Sequence, residues 1–148
     1  MYNLLLMADP NLTTIKQYIP NALVLLAFSC QNDSEQLIGI AVLTSSENKV
    51  KELKNIAIAE EYQGKGYAKQ LIKAAKQQAK TQGANQLTVG TGNSSLSQLA
   101  LYQKCGFRLS HVVKDFFKTY PEPIFENDIQ CIDMVMLSCE LDDKDNSE

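Results

Sequence analysis

The sequence predicts a single α/β domain in which a mixed, mostly antiparallel sheet of about seven strands is flanked by helices. Three segments rich in Val, Leu and Ile precede the first long helical pattern. That pattern is amphipathic, and beyond it short apolar segments alternate with a second helix. A series of strands followed by alternating helices and strands is typical of a mixed sheet with helices on its faces. The length of 148 residues suits one such domain.

The first half of the chain is predicted to be mainly strands. Residues 4–7 are an apolar run that we expect to form a short first strand, ended by Asp9-Pro10, and residues 11–18 a short helix that stops before Pro20. Three successive antiparallel strands then follow, of which the first two form a hairpin around a polar turn. We place them at residues 22–29, 37–44 and 50–59.

The second half is predicted to alternate helices with strands. Apolar residues in the segment 66–82 recur with helical spacing, and Gly83 supplies the stop. We then expect a strand at 86–89, a helix at 95–104 and final strands at 107–118 and 129–141, with an aromatic and proline-rich loop at 120–127. The predicted order is therefore β-α-β-β-β-α-β-α-β-β.

Composition and charge disfavour several classes of function. Hydrophobic residues make up 45% and charged residues 21%, as in soluble globular proteins. The chain has no signal-peptide pattern and no apolar run near the ~20 residues of a membrane span, so we expect a cytoplasmic protein without a membrane partner. Lysines are accompanied by one arginine, Arg108, which does not favour a nucleic-acid partner. The net charge of −3 arises at the acidic C-terminus, so we place the domain at 1–141 and an acidic tail at 142–148.

The cysteines do not suggest a metal site. Cys30, Cys105, Cys131 and Cys139 lack C-x-x-C spacing, and His111 is the single histidine. We therefore expect free thiols, mostly buried, and no metal.

A strand, a glycine turn and a helix follow one another across residues 56–68. Gly64 and Gly66 stand where the helix begins, and glycine lets the backbone approach a ligand closely. The free N–H groups and positive dipole of a helix N-terminus would suit a pyrophosphate. A tight turn without a ligand could use the same glycines. Neither the Rossmann fingerprint nor the P-loop motif is present.

Two motifs resemble those of the GNAT N-acetyltransferases. The segment Gln63-Gly-Lys-Gly-Tyr-Ala68 matches Q/R-x-x-G-x-G/A, and Leu101-Tyr-Gln-Lys-Cys-Gly-Phe107 is similar to L-Y-x-x-x-G-F. One helix and one strand separate the motifs, as in that family. The resemblance implies the GNAT fold, acetyl-CoA as co-substrate, no metal, and direct transfer of the acetyl group to a primary amine in a ternary complex. The alternative is a non-catalytic acyl-CoA-binding sensor or interaction module on the same fold; a dinucleotide-binding module is a remote third.

The resemblance also implies which residues bind coenzyme A. The backbone of Ile56, Ala57 and Ile58 would contact the thioester oxygen and pantetheine. The pyrophosphate would lie on the glycine turn, formed by Gln63, Gly64, Lys65, Gly66, Tyr67, Ala68 and Lys69. Many relatives carry an asparagine seven residues before the motif tyrosine. Here Ser95 holds that place and Asn93 lies two residues earlier, so either could contact pantetheine.

Two side chains are candidates for proton transfer. An amine of pKa ~10.4 must lose a proton before it attacks. Glu52, at the position of the basic glutamate in the histone-acetylating branch, is predicted to share a strand face with Ile56 and to act as base. A water chain, or a solvated glutamate paired with a neighbouring lysine, is the alternative. Tyr102 matches the general acid that protonates the leaving thiolate, and we expect it on a polar helical face; a half-buried anchoring tyrosine is the alternative.

The aromatic and acidic segment 116–128 has no assigned role. Glu122, Glu126 or Asp128 could attract a cationic amine in an acceptor pocket. The segment could equally form a contact in a homodimer or fold over the sheet. The acceptor stays open among polyamines, aminoglycosides, amino acids and protein N-termini.

Overall fold

The computed structural model describes residues 1–31 and 33–141, and the acidic tail predicted at 142–148 lies outside them. Four α-helices occur in this part of the chain: α1 Tyr2–Ala8, α2 Leu12–Tyr18, α3 Tyr67–Thr81 and α4 Leu96–Lys104. The strands are β1 Leu23–Gln31, β2 Ser34–Ser45, β3 Val50–Ile58, β4 Gln86–Gly92, β5 Arg108–Val113, β6 Ile124–Glu126, β7 Ile129–Cys131 and β8 Met134–Glu140. None of these helices is both long and apolar enough to cross a bilayer.

Six strands form the main sheet in the order β1-β2-β3-β4-β8-β5, and β6 with β7 forms a separate ribbon. Every pair in the main sheet is antiparallel except β3 with β4, which is parallel. The predicted fold class, a mixed and mostly antiparallel sheet flanked by helices, is therefore confirmed.

The parallel pair β3–β4 separates part of the way along its length. Pairing runs from Val50 opposite Gln86 to Leu53 opposite Val89 and then stops. Beyond this point β3 continues to Ile58 and β4 to Gly92. A bulge marks the same place, because Val42 of β2 lies opposite Asn55 whereas Leu43 lies opposite Leu53, which leaves Lys54 as the extra residue. The centre of the sheet consequently opens on one side of β3.

Each face of the sheet has its own apolar core. The amphipathic side of α3 packs Leu71, Ile72, Ala75 and Ala79 against one face, as its sequence period predicts. On the other face, α1 and α2 pack through Leu5 and Ile15, two fully buried side chains. Asn55 fastens α1 to the sheet, because its Nδ2 donates to Leu5 O at 3.0 Å.

The strand predicted at residues 4–7 is wrong, because this segment lies within helix α1. A run of four apolar residues has no period that separates a buried strand from one turn of a buried helix. In the structure, Leu4 and Leu5 are buried against the sheet while Met7 is exposed. The helix ends at Asp9, whose Oδ1 accepts from Asn11 N at 3.0 Å and turns the chain into α2.

The C-terminal strands are shorter and more numerous than predicted. The strand predicted at 107–118 ends at Val113, since Asp115 has a φ of 63° and a 3-10 turn follows at Phe116–Thr119. The strand predicted at 129–141 is divided into β7 and β8. It breaks because the N–H groups of Ile132 and Asp133 donate to Asn93 Oδ1, at 2.8 and 2.9 Å, and not to a neighbouring strand. The predicted loop at 120–127 contains strand β6.

Candidate functional site

Two adjoining cavities lie where β3 and β4 separate. The outer groove, of about 490 Å³, runs between the end of β3, the start of α3 and the exposed side of α4. The inner cavity, of about 300 Å³, lies between the diverging ends of β3 and β4 and reaches the β6–β7 ribbon. Both are lined by Met7, Ala8, Ile56 and Gln98, so a single elongated ligand can occupy the two.

The glycine turn forms the outer end of the groove. Gly64 and Gly66 have φ values of 75° and 86°, a left-handed region that favours glycine. Gly66 is the N-cap of α3, and no side chain caps the N–H groups of its first turn. The groove is lined there by Gln63, Gly64, Gly66, Tyr67, Ala68 and Lys69. Unpaired N–H groups, the helix dipole and a lysine make this end suited to an anion.

Lys65 is the one predicted residue of the turn that does not line the groove. Its Nζ lies 5.6 Å from the centre of the Tyr62 ring. Of the two lysines predicted to meet phosphates, the structure therefore brings Lys69 to the groove and turns Lys65 toward an aromatic face.

The edge of β3 beyond Lys54 presents backbone groups to the cleft. Ala59 N donates to Ile38 O of β2 at 2.7 Å, so by antiparallel alternation Ala57 also faces β2. The N–H groups of Ile56 and Ile58 consequently point away from β2, toward the gap between β3 and β4. Ile58 O accepts from Gln63 Nε2 at 2.9 Å, which ties the glycine turn to the strand end.

Tyr102 lines the inner cavity together with Ser95 and Gln98, the residues with which its helical spacing groups it, but it is buried. It is the buried residue of α4, 4% exposed, and its ring packs edge-on against Phe107 at 5.9 Å between centroids. Residue spacing along α4 does not reveal this burial, because Phe107, which covers the ring, lies beyond the end of the helix. The turn at Gly106 brings Phe107 back beneath α4. Burial raises the pKa of Tyr102 well above its usual value, with a smaller contribution from Cys105. The phenol therefore stays protonated in neutral solution.

Glu52 does not share a face with Ile56, and that geometric expectation is wrong. The bulge at Lys54 shifts the alternation by one residue, so Leu53 joins Ile56 and Ile58 in the core on the α3 side while Glu52 points to the other face. Glu52 lines neither cavity. Its Oε2 lies 3.8 Å from Lys54 Nζ. The catalytic role of Glu52 stays a prediction that its position does not support.

The two candidates for a pantetheine contact have different surroundings. Asn93 uses its whole amide to fix the chain around β7: its Oδ1 accepts from Ile132 N and Asp133 N, and its Nδ2 donates to Gln130 O at 3.1 Å. Ser95 lines the inner cavity instead, and its Oγ donates to Glu126 Oε1 at 2.7 Å. Ser95 is therefore the candidate that can reach a ligand.

Sequence reasoning missed the glycines that border the inner cavity, Gly90 and Gly92. A Cβ on Gly92 would collide with Cys131 Sγ, so glycine is needed for the close approach of β7 to the end of β4. The G-x-G at a predicted strand end was the available signal, since glycine inside a strand often marks a close backbone approach.

The remaining reactive side chains do not form a second site. None of the four cysteines forms a disulfide; Cys131 and Cys139 are buried, whereas Cys30 is exposed. His111 is exposed on β5, with Nδ1 3.0 Å from Ser110 Oγ. Within residues 1–31 and 33–141, no three His, Cys, Asp or Glu side chains come together in a way that could hold a metal ion.

Comparisons with known proteins identify the family to which this cleft belongs. The family model described as "Acetyltransferase (GNAT) family" matches residues 8–107, which include the glycine turn and Tyr102. The "Uncharacterized N-acetyltransferase YvbK" of Bacillus subtilis (strain 168) is 44% identical over 142 residues, which are 95% of this chain and 89% of that protein.

Two solved structures are similar over nearly the whole chain. The "IAA acetyltransferase" from Bacillus cereus ATCC 14579 is 47% identical with a TM-score of 0.89, covering 95% of this chain and 91% of that one. A GNAT family acetyltransferase from Elizabethkingia anophelis, with acetyl-CoA bound, is 46% identical with a TM-score of 0.88, covering 95% and 90%. The chain with this cleft is therefore a member of the GNAT acetyltransferase family.

Proposed function

We propose that the protein transfers the acetyl group of acetyl-CoA to a primary amine by direct attack in a ternary complex. The observation that supports this most strongly is the continuity of the cleft, which joins an anion site at the start of α3 to a buried tyrosine in the gap of the sheet. A diphosphate, an extended pantetheine arm and a thioester follow one another in acetyl-CoA in the same order. The relative from Elizabethkingia anophelis, with acetyl-CoA bound, gives independent support for this donor.

Each part of the cleft has a role in this proposal. The unpaired N–H groups at the start of α3 and Lys69 hold the diphosphate. Ile56 N–H donates to the thioester oxygen, where negative charge develops, and Ile58 N–H pairs with the pantetheine arm. Ser95 contacts the same arm near its reactive end. Tyr102 donates its proton to the sulfur of the leaving thiolate.

Thermal unfolding with acetyl-CoA tests donor binding. At about 100 times Kd, a ligand specific for the folded state adds ~2.7 kcal/mol, which corresponds to a rise in Tm of roughly 5–10 °C. NAD serves as the control, because it offers a diphosphate without pantetheine. A shift with NAD and none with acetyl-CoA would reverse the assignment in favour of a dinucleotide module.

Product formation tests the chemistry separately. We expect free coenzyme A to appear above the hydrolysis background when a panel of primary amines is added, with acetylated amine detected by mass spectrometry. Binding of acetyl-CoA without acetylated product from any amine would favour the non-catalytic sensor on the same fold.

A further inference from the structure

We propose that the inner cavity is the acceptor site, that it takes a small primary ammonium ion, and that Glu126 binds this ion and accepts its proton. The inference rests on the proposed function and adds to it the substrate class and the base. It depends on the position of the Glu126 carboxylate, on the lack of a cationic partner for it among the residues that the structure describes, and on the walls of the cavity.

The Glu126 carboxylate is held in place from one side. Its Oε1 accepts from Ser95 Oγ at 2.7 Å, with Ser94 Oγ 3.4 Å away. Both serines lie at the start of α4, the helix that carries Tyr102. Two hydroxyl groups on one oxygen fix the carboxylate at the cavity wall and leave Oε2 to meet a ligand.

The ribbon that carries Glu126 is fastened to the same region. Asn127 Nδ2 donates to Ser94 O at 2.8 Å, and Asn93 Nδ2 donates to Gln130 O. Glu126 is thus tied through its side chain, and through the residues around it, to the segment between β4 and α4. These contacts hold the carboxylate on the wall of the cavity that Tyr102 also lines.

Charge in the inner cavity favours a cation. Its titratable lining residues are Lys54 on β3, Tyr102 on α4, Glu126 on β6 and Cys131 on β7. Burial raises the pKa of both Tyr102 and Cys131, so these two are neutral. Lys54 is paired with Glu52 and lies 5.9 Å from the Tyr18 ring centre. Among the described residues no lysine, arginine or histidine forms an ion pair with Glu126. An incoming ammonium ion is therefore its natural counter-ion.

The size and walls of the cavity favour a short acceptor. At about 300 Å³ the cavity is at the lower end of the range for ligand pockets, ~300–1,000 Å³, and the acceptor shares it with the thioester end of acetyl-CoA. Its apolar lining includes Leu6, Leu53, Ile56 and Ile124. Glu126 itself is exposed at the mouth, so an ammonium ion can reach it from solvent. A short aliphatic amine satisfies both the apolar walls and the carboxylate.

The protons balance in the resulting reaction. Glu126 takes one proton from the ammonium nitrogen, and the neutral amine forms a C–N bond to the thioester carbonyl carbon. The C–S bond then breaks, and the thiolate receives the proton of Tyr102. The second proton lost by the nitrogen restores the phenol, so one proton, held first by Glu126, leaves per turnover.

The test compares Glu126→Gln with Glu126→Asp and with the wild-type protein. The probes are 1-aminobutane and 1,4-diaminobutane, with 1-butanol as the uncharged analogue. We expect Glu126→Gln to lower kcat/KM for both amines by ~10²–10⁴. Glutamine keeps the size of the side chain, but it neither attracts the ammonium ion nor accepts its proton. Asp should recover part of the activity.

Glu122→Gln is the matched control, because Glu122 lies four residues earlier and lines neither cavity. It should leave kcat/KM unchanged, and all variants should keep the acetyl-CoA shift in Tm. Wild-type activity that Glu126→Gln leaves intact would overturn this inference and leave the proposed function standing. If wild-type protein bound acetyl-CoA but acetylated no amine, the result would count against both this inference and the proposed function. If wild-type protein did not bind acetyl-CoA, the proposed function itself would be wrong.

Discussion

At the scale of single residues, Tyr102 combines a place in the apolar core with a position on the inner cavity, where we propose that it donates a proton. Its ring is buried against Phe107 and packs within the apolar cluster on the α3 side of the sheet. Burial also raises the pKa of its hydroxyl, so the proton needed by a leaving thiolate is present at any pH below about 10. The burial that anchors the ring also keeps the hydroxyl protonated, so the anchor and the proposed proton donor, alternatives from the sequence, do not exclude each other in this structure.

Tyr102→Phe should separate these two properties. The ring remains, so we expect the fold and the acetyl-CoA shift in Tm to be kept, while kcat for amine acetylation falls by ~10²–10⁴. Steady-state kinetics with thermal unfolding measures both. Tyr120→Phe is the control: Tyr120 is also partly buried, its hydroxyl lies 3.4 Å from Asp9 Oδ1, and it lines neither cavity. Equal loss of kcat in both variants would show that Tyr102 acts only through the fold.

At the scale of elements, helix α3 provides a controlled comparison between its two ends. Gly66 precedes the helix and Gly83 follows it, with φ values of 86° and 89°. An added Cβ would meet nothing within 4 Å at either position, so alanine costs backbone strain without crowding. Gly66, the N-cap of the helix, lines the outer groove, whereas Gly83, beyond its C-terminus, does not.

Gly66→Ala and Gly83→Ala should each lower the free energy of unfolding by ~1–2 kcal/mol, the usual cost of a left-handed non-glycine residue. Only Gly66→Ala should weaken acetyl-CoA binding, because it alone shifts the N–H groups that we propose hold the diphosphate. Denaturant unfolding and calorimetric titration measure the two effects. If Gly83→Ala weakened binding as much, the turn before α3 would have no special part in holding the donor.

The elements that could be predicted from the sequence are those in which apolar residues recur with a regular period or a glycine marks the end of a helix. Helix α3 has both, and Gly64 and Gly66 indicated the anion site without any tertiary information. The run at residues 4–7 has neither, and its helical state depends on packing against β3. The break between β7 and β8 depends on two hydrogen bonds that Ile132 N and Asp133 N donate to Asn93 Oδ1, about forty residues earlier in the chain. Such distant partners leave no local pattern.

The candidate site follows the same division. The donor end lies within one contiguous segment, so its residues could be named from the motif. The inner cavity is assembled from α1, β3, β4, α4 and the β6–β7 ribbon. The face of β3 on which Glu52 lies was predicted wrongly because of a single bulge residue, Lys54. This residue reverses the alternation of side chains between the two faces of the strand, but it resembles an ordinary strand residue in sequence.

At the scale of the whole molecule, the cavity exists because an apolar core on each face of the sheet holds β3 and β4 in place where they separate. The α3 core and the α1–α2 core lie on opposite faces of β3. The gap between the strands is therefore part of the fold, and burial beside it raises the pKa of Tyr102 and Cys131, so both are neutral near neutral pH. This burial connects the stability of the fold to pH.

We expect the free energy of unfolding to fall as the pH rises above about 9. Burial raises the pKa of Cys105 and Cys131, of Tyr18 and Tyr102, and that of Tyr120 to about 12. In the unfolded chain thiols ionise near ~8.5 and phenols near ~10, so above these values the unfolded state binds fewer protons than the native state and stability decreases. Below them the same groups are protonated in both states and contribute no slope.

Denaturant unfolding between pH 7 and pH 11, with a reductant present, measures this slope. Tyr102 alone should contribute about 1.4 kcal/mol per pH unit above ~10, because it is the most deeply buried of these phenols. Tyr102→Phe should therefore show a shallower decline above pH 10 and the same slope as wild type below it. A wild-type stability that is constant to pH 11, or an unchanged slope in the variant, would mean that the gap in the sheet admits enough water to solvate the phenolate, and the cavity would then not be the dry site that protonation of a leaving thiolate requires.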